Sequence, residues 1–155
     1  MPREIERKFL VTGDAWREGE GHHYRQGYLS LVPAHTVRVR LVDNSATLTI
    51  KGETKGATRR EFEYEIPPDE ARQMLDELCE KPIIEKKRHL VDYQGHTWEV
   101  DEFFAENDGL VLAELELESE GESFPRPPWL GEEVTDDPRY YNANLVEKPY
   151  NTWEK

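Results

Sequence analysis

The chain has 155 residues, 34% charged and 10% aromatic, with 33 acids against 20 bases and a net charge of -13. That length suits one domain spanning 1–155 with a substantial core, and the aromatic content argues against wholesale disorder. An acidic surface of this kind repels nucleic acid and anionic lipid, so a phosphate-bearing ligand must bind where bases cluster or where divalent cations neutralise both partners.

Cys79 is the single cysteine, which excludes an intrachain disulfide and a cysteine zinc cluster. The N-terminus lacks an apolar signal-peptide core, and no apolar run approaches bilayer length. A cytoplasmic protein without membrane or nucleic-acid partners is expected, and a homodimer is compatible with the sequence.

In chain order, strand patterns are predicted at 3–11, 24–32, 36–43, 46–51, 59–66, 83–93, 96–104 and 110–119. Asp43-Asn44-Ser45 and Tyr93-Gln94-Gly95 mark tight turns, and Gly52 to Thr58 a longer loop. Such short links favour antiparallel neighbours. A helix is predicted from Pro67-Pro68-Asp69 to Lys81-Pro82, with Ala71, Met74, Leu75, Leu78 and Cys79 at helical spacing. Ser123 to Trp129 is proline-rich and read as irregular. Pro138 to Glu147 reads as a second helix packing through Tyr141, Leu145 and Val146.

Charge recurs with period two on most strands. Glu4, Glu6 and Lys8 oppose Ile5 and Phe9; Arg38 and Arg40 oppose Val37, Val39 and Leu41; Lys51 opposes Leu48 and Ile50. Glu61, Glu63 and Glu65 oppose Phe62, Tyr64 and Ile66, and Glu114, Glu116 and Glu118 oppose Ala113, Leu115 and Leu117. Asp101 and Glu99 oppose Trp98 and Val100. The 83–93 strand is less regular, because Lys86 and Arg88 share their face with Ile84 and Leu90. For one strand alone, the simpler reading is a charged face in water. Eight such strands are enough to close a barrel, and two short helices cannot cover a large flat sheet, so the charged faces are expected to line a lumen.

Enclosed carboxylates must protonate, pair with bases or hold cations. Hard oxygen donors without His or Cys suit Mg²⁺ or Mn²⁺, and such an ion suits a polyphosphate whose other oxygens meet Lys and Arg. The pattern therefore points to a phosphate-binding tunnel.

The ordered series Glu4-x-Glu6-x-Lys8, Val37-Arg38-Val39-Arg40-Leu41, Leu48-Thr49-Ile50-Lys51, Arg60-Glu61-Phe62-Glu63, Glu85-Lys86-Lys87-Arg88, Val100-Asp101 and Ala113-Glu114-Leu115-Glu116-Leu117 resembles the CYTH superfamily of triphosphate tunnel metalloenzymes. The Gly131-Glu132-Glu133-Val134-Thr135 and Tyr140-x-Asn142 tail is similar to that of its short bacterial members. The resemblance implies a mainly β, α+β fold: an eight-stranded antiparallel closed barrel with a few flanking helices. It also implies hydrolysis of inorganic triphosphate, or of another small triphosphate, with Mg²⁺ or Mn²⁺ as cofactor.

Carried over by residue, Lys8, Arg38, Arg40, Lys51, Lys86 and Arg88 would bind phosphate. Glu4, Glu6, Glu61, Glu63, Asp101, Glu114 and Glu116 would hold metal or water. Within these sets Glu4, Glu116, Lys8 and Lys51 are the catalytic candidates. Lys86 and Arg88 are chosen over Lys87 because they share a face. Tyr28 is placed at the tunnel wall or in packing. His22-His23 are read as solvated loop, Lys55, Arg59 and Arg60 as solvated loop or, alternatively, as guiding an anion to the entrance, and Glu18, Glu20, Glu120, Glu122, Glu132 and Glu133 as surface. A class IV type adenylate cyclase would need a nucleoside pocket that has no sequence signal here, and a non-catalytic polyphosphate-binding module would not need the retained acids.

Overall fold

The structure, a computed structural model, describes residues 3–153 apart from 54 and 56; the side chains of Arg3, Glu4 and Glu18 also lie outside the described residues. Its elements are β1 (Arg3–Val11), β2 (Glu20–Ser30), β3 (His35–Val42), β4 (Ser45–Gly52), β5 (Thr58–Ile66), α1 (Pro68–Glu77), β6 (Ile84–Tyr93), β7 (His96–Phe103), β8 (Val111–Glu116), β9 (Leu130–Glu133) and α2 (Asn142–Glu147). The strands follow the order β5-β4-β3-β2-β6-β7-β8-β1, and β1 pairs back to β5, so eight antiparallel strands form the expected closed barrel. The closing seam is narrow: Arg3, Glu4 and Ile5 face Arg60, Arg59 and Thr58. Among the described residues no helix is long and apolar enough to cross a membrane.

Closure follows from alternation. The apolar faces point outward, where short segments cover most of them and leave Phe62 and Tyr64 of β5 exposed, and the charged faces point inward. One outer cluster packs Phe9, Trp98, Val100, Leu115 and Trp129 under the chain after β8. Trp98 meets Phe9 edge-on with ring centres 5.6 Å apart, and Trp129 likewise at 5.6 Å. Another sets Ala71, Leu75 and Cys79, from α1 and the turn after it, on Val39, Leu41 and Ala46. α1 starts where Pro67 and Pro68 fix the backbone, with Asp69 and Glu70 in its first turn complementing the helix dipole.

The lumen is filled with apolar side chains at one end. Tyr28, Ile84, Phe103 and Leu112 continue the inward faces of β2, β6, β7 and β8, and Leu145 and Val146 of α2 pack onto them. This accounts for the mixed face of the 83–93 pattern: Ile84 belongs to the apolar end and Lys86 and Arg88 to the charged bore.

Several boundaries differ from the sequence reading. β2 begins at Glu20, so His22-His23 lie in a strand; it runs that far because β6 pairs with it from Gln26 out to Glu20. β8 ends at Glu116, and α1 ends at Glu77, short of Lys81-Pro82. The tail contains a ninth strand, β9, which pairs with Phe9 and Val11. It is four residues long with a single Leu, too little for a periodic signal. The 138–147 segment divides into a 3-10 turn at Pro138–Tyr140 and α2, because Tyr141 is extended between them.

The Gln94-Gly95 hairpin has both residues at positive φ, 45° and 88°, the geometry that matches strand twist in a tight turn. Gly27, opposite Val39, lies under the segment that follows α1: a Cβ there would be 2.8 Å from Cδ1 of Ile83 and 2.9 Å from Cβ of Cys79. Gly27→Val is expected to push the segment between α1 and β6 off the barrel and lower stability by about 1–3 kcal/mol, read as a shift of the denaturant midpoint at unchanged slope.

Candidate active site in the barrel lumen

The antiparallel register sets acids against bases. Lys8 lies opposite Glu114 and Glu6 opposite Glu116; Lys51 faces Glu61, and Arg88 faces Asp101. The Lys8 ammonium donates to Glu114 at 3.0 Å, and Lys51 stands 3.6 Å from Glu61. Arg88 binds both oxygens of Asp101, at 2.7 and 2.9 Å, and reaches Glu99 at 3.2 Å. Lys86 pairs with Asp101 at 2.8 Å. Arg38 donates to the Thr49 hydroxyl at 3.3 Å, which donates to Glu63 at 3.0 Å. Arg40 donates to the side-chain carbonyl of Gln26 at 3.1 Å, and Tyr24 lies beneath both Arg40 and Arg88.

Burial makes these charges interact strongly. Although burial opposes ionisation, Glu114 and Glu6 hold the Lys8 ammonium above its ordinary value. Burial likewise opposes the Asp101 carboxylate, yet Arg88 and Lys86 bring it down to about 2. Lys86, 0% exposed, is driven down to about 7 by burial against the pull of Asp101, with Arg88 and Arg40 adding to the fall. Arg40 falls to about 10 through burial and the neighbouring Arg38 and Arg88. Glu99 moves up through burial, against the pull of Arg88, with the nearby Glu114 and Asp101 adding to the rise. One part of the bore thus has cations repelling cations and another has acids repelling acids.

Two adjacent cavities occupy the bore. The larger, about 450 Å³, is lined by Lys8, Arg38, Lys51, Arg59, Tyr28 and Tyr141, among others, and forms a vestibule. The smaller, about 210 Å³, is bordered by Glu61, Glu63, Glu99, Glu114, Glu116 and Arg88, among others. Glu6, Arg38, Lys51 and Asn142 border both. Lys86 and Asp101 border neither and sit behind the wall as a fully buried pair.

The structure therefore brings Glu6, Lys8, Arg38, Arg40, Lys51, Glu61, Glu63, Arg88, Glu114 and Glu116 to the bore, with Tyr28 at the vestibule wall. The side chain of Glu4 lies outside the described residues. Lys87 is on the outer face, exposed, while Lys86 and Arg88 point inward.

Sequence reading missed several contributors. Glu99 was seen on the right face but not placed in the site. Arg59, weighed as solvated loop or as an anion guide at the entrance, begins the inward row that continues through Glu61 and Glu63, a period-two signal that extends one step further back. Gln26 is fully buried, holding Arg40 and donating to Asn142 at 3.2 Å; neutral amides give no charge pattern to find. Asn142 also accepts from Lys86 at 3.2 Å. Burial and Asp136 raise the Tyr141 phenol while Lys8 and Arg59 oppose the rise, so both cations act on the same ring across the vestibule.

Comparison with known proteins agrees with this geometry. The family model for the CYTH domain matches residues 2–150. A protein named inorganic triphosphatase from Acetivibrio thermocellus is 51% identical over 156 aligned positions, covering 100% of both chains. A second of that name from Nitrosomonas europaea is 39% identical, covering 92% of this chain and 96% of its own. The crystal structure of the inorganic triphosphatase NE1496 superposes with a TM-score of 0.67 at 35% identity, over 92% of this chain and 96% of that one. The chain belongs to the CYTH domain family.

Proposed function

We propose that the protein hydrolyses inorganic triphosphate to pyrophosphate and phosphate inside the barrel, with residues 1–155 acting as one domain in the cytoplasm. The relatives named inorganic triphosphatase, at 51% and 39% identity over nearly full length, support this reading. The observation that carries it is the double imbalance of the bore. Arg40 is lowered by burial and by the neighbouring Arg38 and Arg88, while Glu99 is raised by burial and, against the pull of Arg88, by the neighbouring Glu114 and Asp101, within one enclosure. A ligand that is itself a polyanion joined to a divalent cation relieves both.

Membership of the family implies a divalent metal cofactor. The donors fit one: the smaller cavity offers carboxylates without His or Cys, as Mg²⁺ or Mn²⁺ requires. Among the described residues no three such groups are set to hold an ion by themselves. That suits Mg²⁺, which is commonly bound by one or two carboxylates together with substrate phosphates. Glu6, Glu61, Glu63, Glu114 and Glu116, with Glu4, are the residues offered to the ion. When bound, it neutralises charge on the phosphate oxygens as a Lewis acid.

The protein groups have separate tasks. Lys8, Arg38, Arg40, Lys51 and Arg88 take the phosphate oxygens and stabilise charge on the departing pyrophosphate. Glu116, facing Glu6 across the β1–β8 ladder, orients water. Tyr28, opposite Arg38, shapes the vestibule wall. With both its oxygens engaged by Arg88 and Lys86, Asp101 holds those bases in place and is reassigned from metal ligand to positioning group.

Purified protein given triphosphate and Mg²⁺ or Mn²⁺ is expected to release phosphate, and chelation to abolish the release. Arg38→Ala and Lys51→Ala should each lower kcat/KM by about 100-fold or more. Silence on triphosphate with either metal would overturn the reading, and cyclic AMP formed from ATP would replace it with cyclisation.

Asp101→Asn leaves Arg88 and Lys86 buried without their carboxylate and should lower stability at neutral pH by about 3–5 kcal/mol. Because the folded-state value of Asp101 is depressed from 3.8 to about 2, its contribution is complete above 3.8 and lost as pH falls through about 2. Denaturant unfolding across that window should show the wild type losing stability more steeply than Asp101→Asn.

A further inference from the structure

We propose that Arg59 is a specificity-determining residue of the vestibule, binding the non-reacting terminal phosphate of inorganic triphosphate and thereby favouring it over triphosphates esterified at that end. The proposal rests on the triphosphatase reading above and names the feature of the substrate that the vestibule selects.

The row Arg59, Glu61, Glu63 runs inward along β5 from the vestibule to the acid-lined cavity, with Arg59 bordering only the former and the two glutamates only the latter. A triphosphate whose reacting end lies among the carboxylates and the metal they hold must extend its other end past Lys51 and Lys8 toward Arg59. The guanidinium is already anchored there. Its Nε donates to the carbonyl of Gly52 at 3.1 Å, and one terminal nitrogen reaches the Thr36 hydroxyl at 3.4 Å.

Both partners are neutral, and among the described residues Arg59 is in no ion pair. By contrast Lys8 has Glu114, Lys51 has Glu61, and Arg88 has Asp101 and Glu99. Arg59 is half-buried and shares the electrostatic environment of Tyr141 with Lys8. Glu6, Glu53 and Asp136 border the same cavity, so its net character is set by four cations against three carboxylates. A guanidinium positioned by neutral hydrogen-bond partners is suited to a bidentate phosphate contact.

Discrimination follows from charge. The free terminal phosphoryl of inorganic triphosphate carries an ionisable oxygen that an ester-linked phosphoryl lacks, so a cation at that end stabilises the inorganic ligand more. Losing the cation should cost the inorganic substrate more than the ester.

The test compares wild type, Arg59→Gln and Arg59→Lys on inorganic triphosphate and on ATP, at equal free Mg²⁺, with melting temperatures recorded for each. For Arg59→Gln the ratio of kcat/KM on triphosphate to that on ATP should fall about tenfold, chiefly through a raised KM for triphosphate, while Arg59→Lys, which keeps the charge but not the bidentate fork, gives a ratio between the two. Equal losses on both substrates, or none, would overturn the proposal while leaving triphosphatase activity standing. A wild type inactive on triphosphate would instead remove the reading on which it rests. Should Arg59→Gln fail to fold, Arg59→Met, which keeps an apolar stem without charge, is measured in its place against the same ratio.

Discussion

The fold depends on compensation of charge across neighbouring strands. Moving Lys, Arg, Asp and Glu side chains out of water is expensive unless an opposite charge stands within ion-pair distance. The antiparallel register does this pair by pair: Lys8 with Glu114, Lys51 with Glu61, Arg88 with Asp101. A slip of one residue on any of these strands would turn the charges outward and the apolar set inward, so register and site are specified together.

Compensation is complete in some layers and deficient in others, and this difference separates support from chemistry. Behind the wall, Asp101 satisfies Arg88 and Lys86 and leaves no accessible oxygen. Nearer the open bore, Arg40 has a neutral amide for partner, and Glu99 shares Arg88 with Asp101 while Glu114 and Asp101 repel it. Groups left with residual repulsion in an enclosed site lower their energy by binding a ligand of opposite charge. The bore holds both signs of residual charge, and a metal–triphosphate complex carries both.

The apolar end of the lumen matters as much as its charged middle. Ile84, Phe103 and Leu112 occupy inward positions on strands that elsewhere present charge, and α2 lies on them. Asn142, at the start of that helix, accepts from Gln26 and Lys86, so the tail is tied to residues that also position Arg40 and Asp101. Neutral connectors of this type leave no charge alternation in the chain, which is why Gln26 and Asn142 were not singled out from sequence. Glu99 lies in the middle of β7 on the readable row of Asp101, whereas Arg59, second in β5, reads equally well as exposed surface because it is near a strand end.

The period-two placement of Glu6 and Lys8, Arg38 and Arg40, Glu61 and Glu63, and Glu114 and Glu116 was decided by the amino-acid order alone, because side chains of a strand alternate whatever sheet it joins. That order also set apart Lys86 and Arg88 from Lys87. What the order could not decide was which face would be enclosed, since a charged face is equally stable in water. Tertiary structure settled it when Arg3, Glu4 and Ile5 paired with Arg60, Arg59 and Thr58, joining the first strand to the fifth. That closure depends on contacts far apart in the chain, and it alone converts solvated charges into a confined array whose members must answer one another.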